Sequence, residues 1–309
     1  MKKIFLLFTA AVLSAGMAFA QDINQATENY NNGAMELQMG NNDAAIGYFQ
    51  AALEMAEALG EEGAEVATNC RNIIPAIYLS SAKEMIKADM FDEAVAQLNK
   101  AIEAAGQYET PEVADDATAL IPQVYVSKGN GFLSAKSFPE AEAAYRQAVE
   151  LDATNGMAQF RLGQALASQN KTDEAVAAYL VAAENGQEKN AFKQLSNAYV
   201  KMAQAANKAK KFQQVLDYAA KSNSYLENAN AYRMAAGAAQ QLGKNDDCIA
   251  NYEKYLELKP TAKDAAGVKY TIGALYQQAG NKEKAKEYYQ MVANDPQYGP
   301  GAQQQLKTL

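Results

Sequence analysis

Two residue patterns in this chain of 309 residues are of types that do chemistry. Adjacent acids occur at Glu61-Glu62, Asp115-Asp116 and Asp246-Asp247. Paired carboxylates can serve glycoside hydrolysis as acid and base. Each pair here falls at a turn or a helix start, where acids offset the partial positive charge of free backbone amides, so a structural role is expected. The second pattern is a pair of thiols, Cys70 and Cys248. A thiol nucleophile needs an activating neighbour, and the chain has 0 His. The same absence removes histidine-based metal sites and Ser-His machinery. Two cysteines make neither a four-cysteine zinc site nor a disulfide framework. No Gly-rich phosphate loop, calcium loop or nucleotide fingerprint is present. The sequence therefore points away from an enzyme, a metal and a cofactor. The run Lys208, Lys210, Lys211 is too short, in a chain of net charge -8, to indicate nucleic acid as a partner.

What such residues could do depends on the elements that hold them. The beginning of the chain has the form of a secretion signal. Lys2-Lys3 precedes an apolar run from Ile4 to Leu13, and Ala18-x-Ala20 fits cleavage before Gln21. Residues 1–20 are thus expected to be removed, which takes the net charge from -8 to -10 as two lysines leave. The periplasm is the expected address, in solution or at the periphery of the outer membrane. No later stretch approaches about 18 consecutive apolar residues, so no membrane span is expected. Cys70 and Cys248 lie about four repeats apart in the organisation described next and are expected to stay free and buried.

Hydrophobic residues make up 49% of the chain and Pro only 7 positions, which allows a large core of long helices. Within it a pattern recurs. A small residue is followed four positions later by an aromatic one, and three positions after that by a second small residue. Ala141, Tyr145, Ala148 repeats as Ala175, Tyr179, Ala182, and Ala285, Tyr289, Val292 has the same layout. Offsets of four and three share one helix face. Ala141 and Ala175 are 34 positions apart. A further small residue stands twelve positions before the first: Gly33, Ala82, Gly129, Gly163, Ala236 or Gly273. Small side chains there let two helices approach closely while the aromatics fill the space. Tyr145, Tyr179, Tyr252 and Tyr289 are therefore expected in the core. Gly40, Gly243 and Gly280 sit where a helix would stop.

This pattern and period resemble the tetratricopeptide repeat family at seven places, near 26–74, 75–121, 122–155, 156–188, 189–228, 229–265 and 266–299. The resemblance implies an all-α solenoid of helix hairpins wound as a right-handed superhelix over 21–309. Extra residues at Glu57–Ile74 and Tyr108–Ile121 are expected to lengthen the flanking helices by about two turns each. Ala203–Lys211 is expected to continue its helix. Gly299–Leu309 reads as a short polar end.

By the same resemblance the first helices of the hairpins line a concave groove. The positions carried over include Phe160 and Gln164 in the fourth repeat, Asn190, Lys193 and Asn197 in the fifth, Asn230, Arg233 and Gln241 in the sixth, and Tyr270 in the seventh. The C-terminal groove is thus expected to be rich in amides, with isolated cations. Lys193 and Asn197 match the first two positions of the family's carboxylate clamp. Met234, Gly267 and Thr271 stand where the rest of the clamp would be, so a full clamp is not expected. The implied function is a non-catalytic scaffold of the bacterial cell envelope that binds a protein or peptide partner. The alternative is a structural subunit of a larger envelope assembly.

Overall fold

The computed structural model describes residues 19–309, with side chains from Ile23 onward. The expected secretion signal lies, up to residue 18, outside the described residues. All regular structure among the described residues is helical, in two compact units that divide between Gly131 and Phe132.

The first unit holds α1 (Phe19–Gln38), α2 (Asn42–Ala58), α3 (Ala64–Lys87), α4 (Phe91–Gln107) and most of α5 (Pro111–Ser134). Antiparallel pairs α1–α2 and α3–α4 are hairpins. Helices α3 and α5 are each 24 residues long, against 13 for a regular first helix later in the chain. The extra residues thus lengthen mainly the first helix of the next hairpin, by about three turns, and the preceding second helix by about one. This corrects the equal division expected from sequence. Pro75 and Pro122 lie inside these long helices, eleven residues from their starts. A proline there lacks the N–H that an interior position donates. Extended first helices accommodate it because their buried faces, including Ile74 and Ile77 in α3, pack against the core.

The second unit continues with α6 (Phe138–Leu151), α7 (Gly156–Ser168), α8 (Thr172–Ala182), α9 (Glu188–Lys208) and α10 (Phe212–Tyr225). It ends with α11 (Ala229–Gln241), α12 (Asn245–Leu258), α13 (Ala265–Gln278), α14 (Lys282–Met291) and α15 (Gly299–Thr308). Pairs α7–α8, α9–α10, α11–α12 and α13–α14 are hairpins, so the unit is an α-solenoid of stacked pairs. The polar end at Gly299–Leu309 is a single short helix, α15, with Gln303, Gln304 and Lys307 exposed, while its Ala302 is buried with Tyr289 and Val292 against the last hairpin.

The small-residue pattern is packing. Ala141 and Ala175 are both fully buried. Gly33 faces the ring of Phe49, Gly163 that of Tyr179, and Gly273 that of Tyr289. Tyr145, Tyr179 and Tyr289 are in the core as expected, but Tyr252 is half-buried and Tyr255 takes the inner place. Cys70 and Cys248 are free and buried.

One turn geometry recurs in the six hairpin turns and in the turn between α5 and α6. Gly40, Asp89, Lys136, Asn170, Lys210, Gly243 and Gly280 all have positive φ, between 57° and 81°. In each case the next residue donates its N–H to a carbonyl five positions back, as from Lys171 to Leu166 at 3.0 Å and from Lys211 to Ala206 at 2.9 Å. That bond closes the first helix and aims the chain into the second.

Candidate functional site

The recurring turn fixes the register of the fifth repeat. Lys210 stands seven positions after Ala203, as Gly243 stands seven after Ala236. Ala203 is therefore the small residue of α9, sixteen positions before Ala219, and both are fully buried. This moves the repeat seven positions along from the register expected. Lys193 then lies in the extra N-terminal turns of α9, and Asn197 falls at the second repeat position. Neither matches the clamp positions assigned from sequence. The helix itself continues through Ala203 to Lys208, as anticipated.

The other candidates separate into three groups. Phe160 is 8% exposed and packs its ring 5.7 Å from that of Tyr179, so it belongs to the core rather than to an open groove. Gln164 is half-buried and accepts a hydrogen bond from Nη1 of Arg161 at 3.0 Å. Asn190, Lys193, Asn197, Asn230 and Gln241 are exposed. Asn190 donates to Oε1 of Gln187 at 3.1 Å, and the backbone N–H of Asn230 bonds the capping Asn228 side chain at 3.0 Å. Tyr270 is half-buried between the rings of Tyr289 and Tyr298, at 5.4 and 5.8 Å.

Arg233 lines an open cavity of about 400 Å³ on the face of the second unit formed by α9, α11 and α13. Asn207 comes from α9; Arg233, Met234 and Gly237 from α11; Gly267, Val268 and Thr271 from α13; Tyr252 of α12 and Tyr298, just before α15, also line it. Met234, Gly267 and Thr271, the residues that break the clamp pattern, thus form its walls. At Gly237 an added Cβ would meet nothing within 4 Å, so the α11 wall is open there. At Gly267 the space of a side chain is taken by Tyr298, whose Oη would stand 2.6 Å from an added Cβ.

Arg233 is not an isolated cation. Its Nε donates to Oδ2 of Asp264 at 2.6 Å, and Tyr255 Oη donates to Oδ1 of the same carboxylate at 2.6 Å. Burial alone would push the Asp264 carboxyl up. The hydrogen bonds from Tyr255 and Arg233 and the Arg233 charge outweigh it, so its pKa lies below the ordinary aspartate value. Burial and the bond to Asp264 push the Tyr255 phenol up. Asp264 therefore stays ionised and fixes one edge of the guanidinium. No hydrogen bond engages the Nη groups of Arg233 among the described residues, and its side chain is 54% exposed. Such a group can take a carboxylate or a peptide carbonyl from a partner. The sequence reading reached Arg233 through its repeat position. It missed Asp264 and Tyr298, which lie in connections outside the repeated helix positions. Their only signal is proximity in sequence to the ends of α13 and α15.

No group of three or more Cys, Asp or Glu side chains among the described residues could hold a metal ion. No helix among them is long and apolar enough to cross a membrane.

Residues 126–190 match the tetratricopeptide repeat family, and so do 229–261 and 266–291. These segments thus carry tetratricopeptide repeats, and proteins of that fold generally act as scaffolds for other proteins or peptides. No curated protein matches it. Similar solved structures include YrrB, described as a TPR protein with an unusual peptide-binding site, at 21% identity over 60% of this chain and 91% of that one, TM-score 0.36. MamA is 18% identical over 59% of this chain and 96% of its own, TM-score 0.38. PilF of Pseudomonas aeruginosa is 15% identical over 77% of this chain and 99% of its own, TM-score 0.35.

Proposed function

We propose that the chain is an exported, non-catalytic scaffold of the bacterial cell envelope, and that it holds an extended polypeptide segment on the face formed by α9, α11 and α13. The observation that carries this reading is the open cavity of about 400 Å³ with Arg233 and Asp264 on its wall. The Nη groups of Arg233 offer donors, Asp264 offers acceptor lone pairs, and Asn207 offers both. A peptide backbone needs both senses at once. Met234, Val268 and Tyr298 supply apolar surface for a side chain between them. Residues 1–20 supply the export signal, and the chain from Gln21 is the working form.

The test is crosslinking in cells with a photoreactive residue in place of Thr271, followed by identification of the captured protein. A discrete partner is expected, and Arg233→Ala should reduce its capture by about tenfold or more, as loss of a charge-assisted bond does. Capture unchanged in Arg233→Ala removes the site. A permanently high native mass with no capture at residue 271 favours the structural-subunit reading instead.

A further inference from the structure

A second cavity, of about 620 Å³, opens in the first unit beside the turn between α1 and α2. Its walls come from the start of α2, the last turns of α3 and the body of α4. Asp43, Glu84, Met85, Met90 and Gln97 carry its chemistry.

Three features of these walls converge on one kind of occupant. First, Oε1 of Gln97 is buried and has no hydrogen-bond partner. An unmatched buried acceptor is costly, so a donor placed against it is favoured. Second, Asp43 and Glu84 make no ion pair among the described residues, and no Lys or Arg lines the cavity. The nearby Lys83 faces Asp116 instead, at 4.0 Å. The wall is thus acidic and uncompensated. Third, Met85 and Met90 with Ala44 and Ala88 form an apolar side, and Met90 is 43% exposed. Methionine thioethers adapt to the shape of what they cover.

A donor head, a positive charge and a long apolar stem belong together in arginine. Its guanidinium presents five donors in a fixed fork, so it can serve the Gln97 oxygen and a carboxylate at once. The free amides in the first turn of α2 would favour an anion, but Asp43 already stands on that turn. No cation on the wall would hold a further negative charge.

We propose that this cavity is a docking pocket for an arginine side chain of a partner polypeptide, independent of the Arg233 cavity in the other unit.

The experiment uses the whole chain with ¹³C-labelled methionine methyl groups. It is titrated in parallel with Nα-acetyl-arginine amide, the neutral isostere Nα-acetyl-citrulline amide, and inorganic phosphate. The arginine amide should shift the Met85 and Met90 signals saturably, in the millimolar range usual for a ligand of that size. Citrulline amide should bind about tenfold more weakly or worse, and added salt should weaken the arginine complex. Asp43→Asn combined with Glu84→Gln should weaken it by about tenfold, and Gln97→Leu should also weaken it. Asp43 and Glu84 are exposed, so that double variant keeps its fold, and an unchanged thermal melt verifies this. Equal binding of citrulline, shifts produced by phosphate in place of arginine, no saturable shift, or full affinity in the double acid variant would each overturn the proposal.

Discussion

A Cβ placed on Gly163 would stand 2.6 Å from Cε1 of Tyr179, sixteen positions further along the chain. The tyrosine ring is 2% exposed and held on all sides, so it cannot move aside cheaply. Helices α7 and α8 approach to this distance because the glycine leaves room for the ring. Gly163→Ala should therefore cost stability through overpacking, by about 1–3 kcal/mol, less the gain of up to about 1 kcal/mol that alanine brings to a helix. Gly47 makes the contrast. It lies in the middle of α2, and an added Cβ there meets nothing within 4 Å. Gly47→Ala should stabilise by about 0.5–1 kcal/mol. Urea unfolding of the two variants should move the midpoint in opposite directions. Equal shifts would mean that the close approach at Gly163 is not what fixes the residue.

The hairpin turns give a second pair of opposite signs. Lys136 and Lys210 hold φ values of 61° and 57°, a region that disfavours residues with a Cβ. The left-handed conformation costs such a residue about 1–2 kcal/mol, while glycine returns about 0.4–1 kcal/mol of that through the freedom of the unfolded chain. Lys136→Gly and Lys210→Gly should thus each stabilise by about 0.5–1 kcal/mol. Asn170 has the same backbone, φ 64°, but asparagine tolerates it, and its Oδ1 accepts a hydrogen bond from Lys201 Nζ at 2.7 Å. Asn170→Gly should show no gain. Thermal melts of the three variants separate these outcomes.

These turns also explain what could be read in the sequence. Three of the seven left-handed positions are glycine and were visible as helix stops. Asp89, Lys136, Asn170 and Lys210 were not, because the backbone bond that closes the turn holds the geometry on residues other than glycine, including the two lysines, which resist it. In the fifth repeat both members of the small–aromatic pair are alanine, Ala203 and Ala219, so side-chain size gave no register. Lys210 supplies it only through its φ. The hairpins were legible wherever a large ring meets a small residue, as at Gly33 and Phe49. The site was legible in part. Arg233 sits on a repeated helix position, while Asp264 and Tyr298 sit in connections whose course no periodicity sets. The apparent groove residue Phe160 turned inward because its neighbour Tyr179 offers a ring to pack on.

A buried carboxylate in the second unit should set its acid stability. Glu142 has a side chain only 11% exposed. Its Oε1 accepts from Arg146 Nη2 at 2.8 Å, and its Oε2 from Gln169 and from Lys171, both at 2.7 Å. The network ties α6 to the turn between α7 and α8. Burial raises the carboxyl pKa, but the bonds from Lys171, Arg146 and Gln169 outweigh it and leave it below the ordinary value of 4.5. A depressed folded pKa stabilises fully above the unfolded value and is lost as pH falls through the folded one. Unfolding free energy should thus decline from about pH 5 downward. Glu142→Gln should cost about 1–3 kcal/mol at pH 7 and much less near pH 3. The same loss at both pH values would show that the charge on Glu142 contributes nothing.

Burial pushes the Cys70 thiol up to about 12 and the Cys248 thiol up to about 11. An ordinary exposed cysteine, with a pKa of about 8.5, is roughly one-quarter thiolate at pH 8. At that pH the two buried groups are thiolate in only about one part in a thousand or fewer, and the thiolate is the form that attacks. Both are also 0% exposed, so a reagent must wait for the surrounding helices to open. A disulfide-exchange reagent at pH 8 should therefore label neither cysteine on the timescale of minutes, and both at once in denaturant. Slow labelling should follow the stability of each core separately: Gly163→Ala lies in the unit of Cys248 and should leave the rate at Cys70 unchanged. Rapid labelling of either cysteine in the folded protein would return these thiols to the list of reactive groups.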